Sequence, residues 1–171
     1  MPLASIAPDF SKSGAMDCIM QKGIQMPSSL DVADYFLSLE GYEGEISNLK
    51  IQKMVYYAQG FSLAVHGEAL FPEKLEAWMH GPVVPDLYRR FSQFGSSAIP
   101  PPNDFNPDVF SAKQQSLLNE VFDVYGQFSA WKLRQLTHEE TPWRSNFKEG
   151  EFSREIPACE MQEYFREHLV N

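Results

Sequence analysis

Apolar residues recur at helical spacing from Ser28 onward, and the breaks between runs carry capping and turn residues. Ser28 suits an N-cap. Behind it Val32, Phe36 and Leu39 share one face and Leu30, Ala33 and Leu37 another, until Gly41 and Gly44 stop the run. Ser47 opens a second, longer helix in which Ile51, Met54, Val55, Ala58, Phe61 and Val65 form a continuous stripe. Leu49, Tyr56, Tyr57 and Leu63 make its remaining faces apolar too. A helix greasy on most sides is central, with neighbours packed around it.

The period changes between Lys74 and Met79. Leu75, Ala77 and Met79 alternate with Lys74, Glu76 and Trp78, which predicts a short strand broken by Gly81-Pro82. Pro85 can open another helix, with Leu87, Tyr88 and Phe91 facing inward and Gly95 closing it. Pro100, Pro101 and Pro102 exclude a helix from residues 99–106 and predict a surface loop. Ser111 and Gln114 make a capping box before the face Leu117, Leu118, Val121, Phe122 and Tyr125. Ser129 caps Ala130 to His138, Thr141-Pro142 starts a short turn with Trp143, and Met161, Tyr164, Phe165 and Leu169 give a last amphipathic helix. The expected fold is mainly α: a compact single-domain bundle of five to seven helices around the Ser47 to His66 helix, with a short strand or ribbon near residues 74–79. Residues 1–25 lack a periodic apolar face and read as a flexible N-terminal tail or extension, leaving 26–171 as the domain.

Composition narrows the function classes. The 171 residues carry 14 basic and 23 acidic side chains, a net charge of −9. That excess disfavours a phosphate-tracking nucleic-acid binder and an anionic membrane surface, and it permits a basic protein partner. The two cysteines, Cys18 and Cys159, are too sparse for a disulfide scaffold, and the apolar stretch from Met54 to Val65 is too short to span a bilayer. A cytoplasmic protein is the expectation.

No enzyme signature survives inspection. The chain has no G-x-S-x-G elbow and no glycine-rich phosphate loop. His138-Glu139-Glu140 begins like a zincin, but the second histidine would fall at position 142, which is Pro142. No catalysis, metal or cofactor is expected. The most unusual local sequence is His80-Gly81-Pro82-Val83: a sharp exit that either forms a rigid internal turn or shapes a notch for a partner's group.

Four ordered stretches carry a family resemblance. The chain reads LKIQKMVYYAQG from Leu49 to Gly60, EAWMHGPVVPDLY from Glu76 to Tyr88, LRQLTH from Leu133 to His138, and TPW from Thr141 to Trp143. Over about residues 28 to 170 this resembles the Panacea domain family, described as SocA-like antitoxins and phage-associated proteins; Met54 stands where leucine is usual. The resemblance implies a mostly helical, non-enzymatic domain acting through protein–protein contact: an antitoxin that neutralises a cognate toxin, encoded next to it, by direct binding. The alternatives are a proteolytic adaptor delivering a toxin to a protease, or a small-molecule-binding or enzymatic domain using His80 and His138. Because the family pattern groups them, Tyr57, Gln59, His80, Gly81, Pro82, Tyr88, Thr137, His138 and Trp143 are the expected partner-binding residues.

Overall fold

The computed structural model describes residues 25–169. The expected N-terminal tail, apart from Gln25, lies outside the described residues, as does Cys18. Seven α-helices and one hairpin follow in chain order among the described residues: α1 (Ser29–Glu40), α2 (Asn48–Val65), β1 (Glu76–Trp78), β2 (Gly81–Val83), α3 (Pro85–Phe91), α4 (Ala112–Tyr125), α5 (Ala130–Glu139), α6 (Thr141–Asn146) and α7 (Ala158–Leu169). The helices start where the capping residues place them. Ser28, Ser47, Ser111 and Ser129 each accept a backbone N–H with their hydroxyls, and Asp31 and Gln114 return the bond to complete capping boxes.

Helix α2 is the axle. It packs against α1, α3, α4, α5, α7 and β2, so every residue from Lys50 to Leu63 is buried. Its apolar side chains make the core continuous with Phe36, Leu118, Leu133 and Phe165. Gly60 lets α7 come close: a methyl group there would overlap the Phe165 ring. Phe165 uses that space to meet Tyr56, Tyr57 and Phe61, with ring centroids 5.5, 6.1 and 4.8 Å away. The polar residues of α2 are each occupied. Gln59 clamps the loop behind the helix, donating to the Phe71 carbonyl at 2.9 Å and accepting from the Leu70 N–H at 2.8 Å. Lys50 reaches the Gly126 carbonyl just past α4, at 2.7 Å.

The expected strand is half of an antiparallel hairpin. Glu76 pairs with Val83, Ala77 with Pro82 and Trp78 with Gly81, so the sequence Gly81-Pro82 does not end the β structure but begins its second strand. The outer edge of β1 is covered as well: the Ala77 N–H donates to the Arg154 carbonyl and the Ile156 N–H to the Leu75 carbonyl, both at 2.8 Å. Alternation fails at the tip. Met79 sits in the turn and is 66% exposed, and Tyr88, expected to face inward from α3, is 40% exposed.

Candidate functional site

The hairpin is held down by a lysine. Lys53 rises from the middle of α2, is fully buried, and donates to the Pro82 carbonyl at 3.0 Å. Gly81 is what admits it. Its φ is 104°, and a Cβ there would stand 2.6 Å from Lys53 Cε and 2.8 Å from Thr137 Oγ1. No carboxylate forms an ion pair with Lys53 among the described residues. Burial, with the Arg134 charge adding to it, pushes its ammonium down to about 7.

Around this lysine the structure gathers the residues expected from the second and third stretches. Arg134 of α5 donates from Nε to His80 Nδ1 at 3.2 Å, and its guanidinium lies 4.7 Å from the Trp131 ring. Thr137 is fully buried and donates to the Arg134 carbonyl. His138 stacks on the Trp143 indole with centroids 3.8 Å apart, and that indole donates to the Trp78 carbonyl at 2.8 Å. Burial and the nearby charges of Arg134, Lys53 and His80 push His138 down to about 4, against a hydrogen bond with the Met79 backbone. Its Nε2 is buried without a hydrogen-bond partner among the described residues.

Of the nine expected residues, His80, Gly81, Pro82, Thr137, His138 and Trp143 therefore form one cluster, with Tyr88 beside it through Trp78 (ring centroids 5.1 Å). Only His80 and Tyr88 are exposed; Gly81, Pro82, Thr137 and Trp143 are buried and shape the turn from beneath. Gln59 and Tyr57 lie elsewhere in the interior, Gln59 spent on the loop it clamps. Two hollows flank the turn. One, about 340 Å³, is lined by Lys53, Trp78, Met79, His80 and Tyr88; the other, about 330 Å³, by Trp78, Met79 and Phe152. Met79, Trp131 and Phe152 were not among the expected residues. Phe152 is 93% and Trp131 57% exposed; Phe152 is an isolated aromatic in a polar stretch, the signal by which sequence alone marks it, whereas Trp131 lies in an apolar helical run that reads as core.

A second constellation lies one turn further along α2. Glu140, between α5 and α6, is half-buried and accepts from Tyr57 Oη at 2.7 Å and Tyr56 Oη at 2.9 Å. Burial pushes its carboxyl up to about 7, opposed by the two tyrosyl hydrogen bonds and helped by the Glu139 charge. The same burial, with Glu140 adjacent, pushes the Tyr56 and Tyr57 hydroxyls upward, so both remain donors. Tyr57 also stacks on Tyr125 at 3.9 Å. These groups line a pocket of about 350 Å³ with Phe128, Leu136, Tyr164 and Phe165. Among the described residues no three His, Cys, Asp or Glu side chains come together in a way that could hold a metal ion, and no helix is long and apolar enough to cross a membrane.

Comparison with known proteins bears on this geometry. The family model described as antitoxin SocA-like, Panacea domain, matches residues 51–144, a segment that includes the hairpin, Lys53 and Glu140 but not α7. Antitoxin SocA of Caulobacter vibrioides (strain NA1000 / CB15N) is 46% identical over 54 residues, 32% of this chain and 29% of that protein. The aligned part thus spans less than a third of the relative's length. No solved structure matches.

Proposed function

This chain belongs to the SocA-like antitoxin family of Panacea domains, and from that premise we propose that it is an antitoxin that neutralises a cognate protein toxin by direct binding, with the hairpin tip as its contact surface. The observation that supports this surface most is the gathering of exposed large apolar side chains on a clamped turn. Met79 and Phe152 share one flanking hollow, Met79 and Tyr88 share the other, and Trp131 connects through Arg134 to His80. Protein interfaces are anchored by such aromatic, methionine and arginine residues next to pockets. Lys53 and Trp143 hold the turn from below through the Pro82 and Trp78 carbonyls, so the contact is pre-formed and binding costs little ordering. The net charge of −9 favours encounter with a basic toxin and makes association slow as salt rises.

The test is protection of cells from the toxin encoded beside this chain. Met79→Glu and Phe152→Glu alter exposed positions and are expected to leave the thermal melt unchanged. Each is expected to abolish protection, and His80→Ala and Tyr88→Ala to weaken it. Full protection by all four folded variants would move the contact surface elsewhere.

A further inference from the structure

The aromatic pocket one turn along α2 from Lys53 shares no lining residue with the hollows beside the hairpin, yet it is chemically specialised. Glu140 presents a carboxylate whose two oxygens each accept one tyrosyl hydroxyl. Each oxygen retains a further acceptor site. No lysine, arginine or histidine forms an ion pair with it among the described residues. The walls are Tyr57, Phe61, Tyr125, Phe128, Tyr164 and Phe165. Aromatic faces are electronegative, and a cation against them gains from each ring it touches. At about 350 Å³ the space is at the small end of ligand sites, suited to one side chain or a compact molecule.

The surroundings have the same sign. Glu139 lines the pocket, and the adjoining hollow, which shares Tyr164, is lined by Glu160 and Glu163. The opposing charges are Lys132 and His168, which also line the pocket but are exposed, and neither figures among the charges acting on Glu140.

We propose that this pocket receives the cationic end of an arginine or lysine side chain presented by the bound partner. The identity of the partner rests on the antitoxin reading; the cation chemistry does not. Tyrosyl hydroxyls orient the carboxylate, the rings strip water from the incoming group, and the carboxylate meets it with a charge-assisted hydrogen bond. The entering cation also supplies the counter-charge that ionised Glu140 otherwise lacks.

The experiment titrates the full chain with butylguanidinium and with its neutral isostere butylurea, following aromatic side-chain NMR signals. Saturable shifts of Tyr57, Tyr125 and Tyr164 are expected with butylguanidinium, and binding about tenfold weaker with butylurea, the size of a moderately desolvated cation–π and charge contribution. Glu140→Gln should weaken butylguanidinium by a similar factor and leave butylurea unchanged; Tyr125→Leu, at the stacked wall, is the second variant should Glu140→Gln fail to fold. Equal affinity for the two probes, shifts outside the pocket, or no saturable shift would overturn the proposal. The protection assay separates the sources. Loss of protection in folded Glu140→Gln supports a partner side chain, whereas lost butylguanidinium binding with full protection assigns the pocket to a free organic cation and overturns it. If the wild-type chain itself gives no protection, the antitoxin reading falls, and the partner side chain with it, while the probe titration still decides the cation chemistry.

Discussion

Lys53 and the tyrosines that hold Glu140 lie one turn apart on α2, and the two charged groups meet the loss of water differently. Lys53 gives a hydrogen bond to a backbone carbonyl of the hairpin; Glu140 takes two from tyrosines of the axle helix. Among the described residues neither forms an ion pair, and burial moves both toward neutrality, to about 7. The difference lies in what each supports. The lysine fixes a backbone turn with exposed apolar residues around it, so its side of the molecule is a convex surface made rigid from within. The glutamate fixes rings, and its side is a concavity. One fold thus offers a partner both a knob and a hole, which is more than the hairpin alone provides for discriminating among partners.

The comparison can be broken most forcefully at α7. Phe165→Ala removes a ring that touches three aromatic residues of α2, and it should destabilise the protein by about 3–5 kcal/mol in denaturant titration. Native-state hydrogen exchange should rise in α7 while the Ala77 and Ile156 amides of the hairpin region remain protected until global unfolding; simultaneous loss would mean that the two sides are one cooperative unit. Gly81→Ala attacks the other side. A Cβ at φ 104° near Lys53 Cε should cost about 2 kcal/mol and accelerate exchange around the hairpin first.

A smaller and more selective effect comes from pH. Folded Lys53 holds its proton less tightly than in the unfolded chain, so its contribution to stability rises as pH climbs from about 7 toward 10.5. Folded Glu140 holds its proton more tightly, so its contribution falls as pH climbs from 4.5 to about 7. His138, pushed down to about 4, adds a rise between there and 6.5 that opposes Glu140. Subtracting variant from wild-type profiles isolates each group: Lys53→Met should remove the limb above neutrality, and Glu140→Gln the decline below it. Profiles unchanged in both variants would show that neither group is desolvated in solution. The smallest effect is expected at Lys74→Met, which breaks an exposed 2.9 Å ion pair with Glu155 beside the hairpin and should leave the denaturation midpoint unmoved.

Helices α1, α2, α4 and α5 were legible because each carries two independent signals, an apolar period and a serine cap, and both act locally. The hairpin was only half legible. Pro82 argues against a strand, since it cannot donate to a ladder, but here its carbonyl takes the Lys53 ammonium. The turn cluster was legible through the family's ordered stretches, and four of its residues nonetheless work from beneath the surface. Lys53 was within reach of the pattern itself: a helix apolar on all faces has no solvent side on which to place a lysine. Glu140 was not. It lies between helices, and its partners Tyr56 and Tyr57 are 84 and 83 residues away, so only the packed fold brings them together. In sequence, the histidine two residues before it draws attention instead, to a metal motif that Pro142 ends.

The position of α2 near the start of the described chain has a consequence for synthesis. Its surface is completed only when α7 arrives, as in the bond from Gln162 to the Leu63 carbonyl across 99 residues. At ribosomal rates of about 5–20 residues per second, that delay is roughly 5–20 s. For that time a nascent chain displays an eighteen-residue helix whose apolar face toward α7 has no cover, the kind of segment that chaperones hold and proteases cut. Ribosome-stalled chains ending before Ala158 should be cleaved within α2 by a protease that leaves the finished protein whole there.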